Sequence, residues 1–349
     1  MTTSDKLVLM HEGRLSAKYG AAGLKSVKAA LAALVTADRR RGLITTLVRL
    51  DHTDDMSAHG GVVDAEVSPR SVKRAVDRLY AGLTPHYLLL LGGPDLLPMV
   101  PLVNPVWGQE DGDPDRTVPS DLPYACESPY ATQADRFLGP TRVVGRLPDL
   151  MGARRPDLLA QLIRAAARSR PRPRDDFEQS FGLSAQAWDA STRLSLRNTF
   201  GPGTPMHSVP PDGPSWTKDQ LAPRMHFINC HGDELSPDYF GQPPGQEVYP
   251  VALTSARLTG RVSAGTVIAA ECCYGAQLFD PADAGGAWPM ALAYLRDGAS
   301  AFLGSSTVAY GPSEGNGSAD LLCQFFLQQV LAGASTGRAA LEARQRFAG

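Results

Sequence analysis

Residues 265–279, GTVIAAECCYGAQLF, begin as a short apolar run and change to reactive side chains within one residue. The run is short enough to predict a buried strand. The residues that follow it are Glu271, Cys272, Cys273, Tyr274 and Gly275. Upstream, residues 224–232, RMHFINCHG, have the same design, with His231 and a glycine after an apolar run. We therefore expect two neighbouring parallel strands that each present a reactive side chain at the carboxyl edge of one sheet.

The cysteine and the histidine at these strand ends suggest nucleophilic catalysis. His231 and Cys273 are 42 residues apart, which leaves room for one strand–crossover–strand unit. A thiol attacks a carbonyl when it is partly ionised and exposed, and a strand end before a glycine turn exposes it. A histidine can supply the proton that a leaving amine needs. We hypothesise that Cys273 is the nucleophile, His231 the general acid and base, and the amides of Gly232 and Cys273 an oxyanion hole.

The order of these blocks resembles the caspase–gingipain–legumain group of cysteine peptidases. Residues 271–275, ECCYG, resemble the Gln-Ala-Cys-Arg-Gly sequence of caspases. Four further blocks resemble the gingipain-like branch: 88–98 (LLLLGGPDLLP), 120–121 (SD), 143–148 (VVGRLP) and 298–307 (GASAFLGSST). The resemblance implies a three-layer α/β/α caspase-like fold with a mostly parallel sheet. It also implies two side-by-side α/β subdomains, a non-catalytic one over residues 1–170 and a catalytic one over residues 171–349.

The adjacent cysteines leave two candidates for the nucleophile. The spacing of caspases and legumains, an acidic or amide residue, a small residue and then Cys, favours Cys273. The Cys-x-x-Gly spacing of gingipains fits Cys272 with Gly275. Because side chains alternate along a strand, only one of the two thiols can face His231. We rank Cys273 first and keep Cys272 as the alternative nucleophile.

The resemblance also implies that the residue two positions before the nucleophile, here Glu271, lines the first substrate pocket. A carboxylate there pairs with Arg or Lys, and bidentate pairing favours Arg. Asp189 and Tyr310 are further candidates for lining the pocket. The prediction is cleavage of protein substrates after Arg, with Lys as the second choice. Each residue has a plainer alternative, since Glu271 also suits a structural ion pair, and Asp189 and Tyr310 also suit solvated or packing positions.

Two other classes of function remain as alternatives. Four neighbouring residues are potential zinc ligands: Cys230, His231, Cys272 and Cys273. Adjacent residues on one strand point in opposite directions, so we expect no metal and no cofactor. The second alternative is a catalytically silent peptidase-like scaffold that binds a partner. A nucleotide-binding sheet around residues 88–95 is disfavoured, because the glycines there lack the G-x-G-x-x-G order.

Composition narrows the setting. The 349-residue chain has a formal net charge of −2, so we expect attraction neither to nucleic acid nor to a membrane. Residues 1–10 do not resemble a signal peptide, and no run of about 18 apolar residues predicts a membrane span. Five irregularly spaced cysteines favour a reducing, cytoplasmic location. Related bacterial peptidases act in defence or cell death, so the resemblance allows regulated cleavage of a specific partner, with a regulatory protein left open.

Periodicity gives a coarse map of the elements. Strands are predicted at residues 6–10, 43–50, 87–91, 142–147, 181–185, 227–230, 266–270 and 299–303. Helices are predicted at 23–41, from Ser68 onward, and at 156–169, 287–296, 319–331 and 336–347, with a loop or helix at 187–198. Segments 92–140 and 199–214 read as irregular, and the charged, proline-rich segment 168–176 reads as a linker.

Overall fold

The short apolar runs of the sequence form strands in two separate, mostly parallel sheets, and each sheet has helices on both faces. The computed structural model describes residues 4–109 and 112–349. The chain divides into two units, residues 1–169 and 170–349, and the division falls within the segment that the sequence predicts as a linker. An α/β fold with mostly parallel sheets is confirmed, and its layers are compatible with a three-layer α/β/α arrangement.

The elements of the first unit are β1 (Lys6–Met10), α1 (Glu12–Arg40), β2 (Thr45–Arg49), α2 (Thr53–Met56), α3 (Pro69–Leu83), β3 (Tyr87–Leu91), β4 (Val100–Val103), β5 (Thr117–Ser120), β6 (Val143–Leu147) and α4 (Asp157–Arg168). Four of the strands form a parallel sheet in the order β2-β1-β3-β6. The fully apolar run of β3 takes a central position, because both faces of a central parallel strand are covered.

Alternation along β1 assigns the two faces of this sheet. Leu7 and Leu9 pack in the cluster that contains residues of α3, whereas Val8 and Met10 pack in the cluster that contains residues of α1 and α4. Helix α3 begins as the sequence predicts, because the Ser68 side chain caps it by accepting a hydrogen bond from the backbone of Ser71.

Two predictions for the first unit are wrong. Helix α1 begins at Glu12, well before residue 23, and its backbone departs from helical geometry at Gly20, where φ is +69°. Segment 92–140 is not irregular throughout, because β4 and β5 pair as antiparallel strands within it. The end of β6 holds this segment, since the Arg146 guanidinium donates to both carboxylate oxygens of Asp121 and to the backbone carbonyl of Leu97.

Helix α1 is long and apolar enough, by length and composition, to cross a membrane, whereas the sequence reading expected no such segment. Its buried residues, Leu31 and Leu34 among them, pack in one cluster with residues of β1 and α4 in the first unit. Core helices and signal sequences meet the same criterion, so it does not by itself assign α1 to a membrane.

The elements of the second unit are β7 (Ser180–Ala185), α5 (Asp189–Phe200), β8 (His207–Val209), β9 (Met225–Asn229), β10 (His231–Gly232), β11 (Asp238–Phe240), β12 (Val251–Thr254), β13 (Val267–Ala270), α6 (Met290–Arg296), β14 (Ala301–Gly304), α7 (Ser318–Leu331) and α8 (Thr336–Ala348). Five of the strands form a parallel sheet in the order β14-β13-β9-β7-β8, and three form an antiparallel sheet in the order β10-β11-β12.

The two faces of the five-stranded sheet again follow from alternation. Phe227 and Ala269 pack in the cluster that contains residues of α5, α7 and α8, whereas Ile228 and Ile268 pack in the cluster that contains residues of α6. Both neighbours of β9 in the sheet, β7 and β13, run parallel to it. This register determines which side chains meet at the carboxyl edge.

Two predictions for the second unit need correction. Segment 199–214 contains β8, and helix α6 begins at Met290, later than residue 287. The connection from β9 to β13 contains the antiparallel strands β10 to β12 and no α-helix. The remaining predicted strands and helices of this unit are present with boundaries shifted by a few residues.

Candidate active site

Strands β9 and β13 are parallel neighbours, and both predicted catalytic residues follow them. The register pairs Val267 with Met225 and ends at Ala270 opposite Ile228. The backbone N–H of Glu271 donates to Ile228 O over 2.7 Å, so the pairing continues past the strand end. Extending that register by three residues aligns Cys273 with His231. Both positions follow the last paired residues, and Cys273 already lies in the turn that ends β13.

Gly232 brings the two strand ends into direct contact. A Cβ atom built on Gly232 would lie 1.9 Å from the carbonyl oxygen of Cys273 and 3.5 Å from Cβ of Cys272. No side chain fits at the first of these distances, so this close approach of the two backbones requires glycine. The sequence assigns Gly232 to an oxyanion hole, and the structure adds a steric reason for the same residue type.

The two adjacent thiols point to different environments. Cys272 is 1% exposed and packs with Cys230 and Met290 on the opposite face of the sheet. Burial raises the pKa of the Cys272 thiol well above its ordinary value. Cys273 is half-buried, whereas the other four cysteines are buried. Of the two adjacent thiols, Cys273 is therefore the more accessible.

The chain turns sharply after Cys273. Tyr274 adopts the left-handed conformation, with φ of +53°, which is uncommon for a residue that carries a side chain. The turn closes through Gly275 N–H, which donates to Cys272 O over 3.0 Å. Tyr274 N–H donates to Thr307 O over 2.7 Å, which ties the turn to the segment that follows β14. This turn ends the strand immediately after the thiol and fixes the backbone on its carboxyl side.

The segment 305–317, between β14 and α7, lies over the thiol. Ala309 N–H donates to Sγ of Cys273, with a nitrogen–sulfur distance of 3.5 Å. The Cys273 thiol in turn donates to the carbonyl oxygen of Ala309, with a sulfur–oxygen distance of 3.6 Å. The Cys273 side chain is therefore held against one residue of segment 305–317.

His231 lies among aromatic rings and one amide. Its ring centroid is 4.3 Å from that of Trp188 and 4.9 Å from that of Tyr249, which stands almost perpendicular to it. Its Nε2 is 2.8 Å from Oε1 of Gln242. Burial lowers the pKa of His231, and the hydrogen bond to Gln242 opposes that effect. The imidazole is thus held on three sides.

Glu271 forms a buried pair of carboxyl groups with Asp320. The two side chains share a hydrogen bond, and both residues are buried, with exposures of 5% and 0%. Burial raises the pKa of Glu271 to about 10, with the charge of Asp320 as the next cause. The carboxylate of Asp320 also accepts from Ser191 Oγ over 3.0 Å and from Gly317 N–H over 3.3 Å. Burial beside Asp320 therefore favours the protonated form of Glu271.

One oxygen of Glu271 is left over. Its Oε2 is buried and has no hydrogen-bond partner among residues 4–109 and 112–349. The pair is covered by Gly311, because a Cβ atom built on Gly311 would lie 2.1 Å from Glu271 Oε1. Tyr310, one of the predicted pocket residues, is 50% exposed in the same segment. Glu271 and Tyr310 are thus brought to one region, with the carboxyl pair beneath segment 305–317.

Asp189 makes its contacts on the β8 side of the sheet edge. It begins α5, and its Oδ1 accepts from Oγ of Ser208 on β8 over 2.8 Å. Strand β8 is the edge strand farthest from β13 and β14, which carry Glu271 and Tyr310 at their ends. Arg193 approaches the other carboxylate oxygen to 3.7 Å. Asp189 therefore has structural partners of its own near Trp188. The role of Asp189 as a pocket residue beside Glu271 stays a prediction.

The four possible zinc ligands have different surroundings. Cys230 and Cys272 belong to the cluster that contains α6 residues, whereas His231 contacts Trp188 and Gln242, and Cys273 contacts Ala309. Within the described residues, no group of three or more His, Cys, Asp or Glu side chains is arranged to hold a metal ion.

Several residues of the site escaped sequence reasoning. They are Trp188, Gln242, Tyr249, Ala309 and Asp320. All lie far from the Cys273 motif along the chain, and their contacts form only after folding. Asp320 gave one usable signal, since an acidic residue in the first turn of a helix commonly caps that helix. No pattern in the sequence singles out Gln242.

The carboxyl edge of the five-stranded sheet therefore combines a half-buried thiol, a held imidazole and a buried acid pair. Such a set can form a covalent bond to a carbonyl, carry a proton and receive a cation. Comparisons of the chain with protein-family models, with curated proteins and with solved structures gave no match.

Proposed function

We propose that the chain is a cysteine endopeptidase that cleaves protein substrates after a basic residue, Arg first and Lys second. One observation carries the proposal: β9 and β13 are parallel neighbours, His231 and Cys273 follow their carboxyl ends, and Gly232 brings the two backbones together there. The mostly parallel sheets are also compatible with the caspase-like arrangement that the sequence resembles. The proposal assigns no step to a metal or a cofactor.

In the proposed reaction, Cys273 attacks the peptide carbonyl carbon and its thiol proton passes to His231. The carbon–nitrogen bond then breaks, and His231 returns that proton to the leaving amine. An acyl-enzyme remains as a thioester on Cys273. A water molecule, deprotonated by His231, hydrolyses the thioester and restores the free thiol. The amides of Gly232 and Cys273 are the proposed donors to the oxyanion, and such donors typically contribute about 10²- to 10³-fold each to the rate.

The specificity part of the proposal rests on the Glu271–Asp320 pair. A guanidinium that approaches this pair would supply a donor to the buried Oε2 of Glu271, which lacks one among the described residues. It would also supply the positive charge that lets both carboxyl groups ionise together. Segment 305–317 must move for a side chain to arrive, because Gly311 covers the pair. Arg is preferred over Lys because two carboxylates match its planar, forked donors.

The proposed setting is the cytoplasm, where thiols stay reduced, and no disulfide joins the five cysteines, all of which lie within the described residues. Regulated cleavage of a specific protein, including a role in bacterial defence or cell death, suits an enzyme with one basic specificity. A regulatory partner that displaces segment 305–317 would act on the thiol and the acid pair together, because Ala309 contacts Cys273 and Gly311 covers Glu271.

The test is turnover of short fluorogenic peptides that end in Arg, Lys, Asp or Asn, together with labelling by an Arg-terminated acyloxymethyl ketone. Wild type, Cys273→Ala and Cys272→Ala are compared by kinetics and by intact mass. We expect Arg-selective turnover and one covalent label, both lost in Cys273→Ala and both kept in Cys272→Ala. Activity that survives in Cys273→Ala, or preference for Asp, contradicts the proposal. If no peptide is turned over and no probe labels the protein, the silent binding scaffold is favoured instead.

A further inference from the structure

Gln242 carries an amide whose orientation is fixed by its two partners. Its Nε2 is 2.8 Å from the backbone carbonyl oxygen of Gln246, and its Oε1 is 2.8 Å from Nε2 of His231. A carbonyl oxygen can only accept a hydrogen bond, so the NH₂ group of Gln242 must face Gln246. The amide oxygen must then face His231.

This orientation also decides which ring nitrogen of neutral His231 carries hydrogen. The amide oxygen of Gln242 has no hydrogen to give, so Nε2 of His231 must donate. In a neutral imidazole the other nitrogen is then an acceptor, which leaves the lone pair of Nδ1 available. Nδ1 is the ring nitrogen next to Cγ, the ring carbon that joins the imidazole to the rest of the side chain.

We propose that Gln242 is the positioning residue of the site: it holds His231 in the Nε2–H tautomer, so that Nδ1 receives the proton of the Cys273 thiol. The role of Nδ1 rests on the proposed peptidase function. The tautomer does not, because it follows from the hydrogen bonds alone.

The backbone around Gln242 is built to hold it still. Its N–H donates to Val209 O over 3.1 Å, and its carbonyl accepts from Ala187 N–H over 2.9 Å. Gly241 packs so closely beside it that a Cβ atom there would lie 2.3 Å from the same Val209 oxygen. The backbone of Gln242 is therefore hydrogen-bonded to Val209, at the end of β8, and to Ala187, which precedes Trp188. A positioning group is effective when its own place is fixed in this way.

The bond to Gln242 also changes strength during the proton transfer. When His231 becomes charged, Nε2–H is a charged donor, and charge-assisted hydrogen bonds are roughly twice as strong as neutral ones. The bond thereby offsets the cost of charging an imidazole that is half-buried against Trp188 and Tyr249. Burial and Gln242 act on the pKa of His231 in opposite directions, as this account requires.

Two substitutions separate positioning from simple packing. Gln242→Ala removes the acceptor, and loss of such an orienting partner typically costs about 10- to 100-fold in activity. We expect that loss in kcat with little change in KM, since Gln242 does not touch substrate. Gln242→Glu keeps the shape and adds a negative charge, which raises the pKa of a nearby imidazole by about one unit or more.

The experiment is long-range proton–nitrogen NMR on protein labelled with ¹⁵N-histidine. The chain has seven histidines, so a His231→Gln spectrum assigns the signals of His231. At pH 8 we expect a protonated Nε2 and an unprotonated Nδ1 in the wild type. We expect a mixture of tautomers in Gln242→Ala and an upward pKa shift in Gln242→Glu, which remains informative if the alanine variant does not fold.

Gln220→Ala is the matched control, because Oε1 of Gln220 also accepts a hydrogen bond, in its case from the backbone N–H of Thr217 over 2.9 Å. We expect it to leave the His231 signals unchanged. An Nδ1–H tautomer in the wild type, or an unchanged tautomer and pKa in the folded Gln242 variants, overturns the proposal. The expected tautomer together with silent peptides and no active-site label instead counts against the peptidase function alone.

Discussion

The sharpest stability prediction concerns the buried acid pair and the substitution Glu271→Gln. Glu271 has a pKa of about 10 in the folded chain against an ordinary value of 4.5. The folded state therefore keeps a proton that the unfolded state releases above pH 4.5. The contribution of Glu271 to the free energy of unfolding is then highest at low pH, and it falls as the pH rises from about 4.5 towards 10.

The size of the effect follows from the difference between the two states. Each pKa unit corresponds to about 1.4 kcal/mol, so keeping Glu271 protonated costs less than about 1 kcal/mol at pH 5 and at most about 5 kcal/mol at pH 8. Relaxation of the pair brings our expectation for pH 8 to about 2–4 kcal/mol. Gln keeps the shape, cannot ionise and can donate its NH₂ group to Asp320. Glu271→Gln should therefore stabilise the chain at pH 8 by about this amount and much less at pH 5.

The assay is urea unfolding of both proteins at each unit of pH from 5 to 9, followed by tryptophan fluorescence. Three of the four tryptophans, Trp188, Trp216 and Trp288, lie in the second unit with Glu271. We expect the wild-type unfolding free energy to fall with pH more steeply than that of Glu271→Gln. The exposed Glu314 lies in the same covering segment, and Glu314→Gln should follow the wild type. Parallel curves for wild type and Glu271→Gln would refute the reasoning.

Three further predictions follow from described contacts. Iodoacetamide under native conditions should label one of the five thiols, because only Cys273 is partly exposed. Peptide mass spectrometry should show that the label disappears in Cys273→Ala but not in Cys272→Ala. Labelling of Cys272 in the folded protein would contradict this. Gly232→Ala should lower the free energy of unfolding by about 1–3 kcal/mol, because its Cβ meets the Cys273 carbonyl, and unchanged urea unfolding would argue against that contact. Arg146→Ala should destabilise the first unit by about 3–5 kcal/mol, because Asp121 and two backbone carbonyls lose their donor. Urea unfolding followed by circular dichroism measures this loss. A decrease below about 1 kcal/mol would contradict the burial of the Arg146–Asp121 pair.

The strands were predictable because burial on both faces leaves a clear pattern. Residues 87–91 form an unbroken apolar run and lie in the middle of their sheet. The start of α1 was missed because polar residues and glycines interrupt residues 12–22. A signal was nevertheless present, since Leu15, Tyr19 and Val27 share one face with Gly23, at which a Cβ would contact Pro156. The pair β4 and β5 was missed because prolines and aspartates dominate the surrounding composition.

The site was predictable only where it lies next to its strands. His231 and Cys273 follow apolar runs directly, and burial distinguishes Cys273 from Cys272 once the fold is known. The partners of Glu271 and His231 were not predictable, because no local pattern links Asp320 to Glu271 or Gln242 to His231. These contacts depend on how α7 and the β11–β12 connection pack against the sheet edge. The peptidase activity, its basic specificity and its setting stay predictions.

The passage of the chain from β9 to β10 has a kinetic consequence. Within three residues the chain leaves the parallel sheet at Asn229 and enters the antiparallel one at His231. The alignment of His231 with Cys273 therefore needs both sheets, and it joins residues far apart in sequence. Contacts of that kind carry a high loop-closure cost and form late in folding. During refolding, secondary structure followed by circular dichroism should recover before the native environment of His231, which includes the Trp188 ring, does.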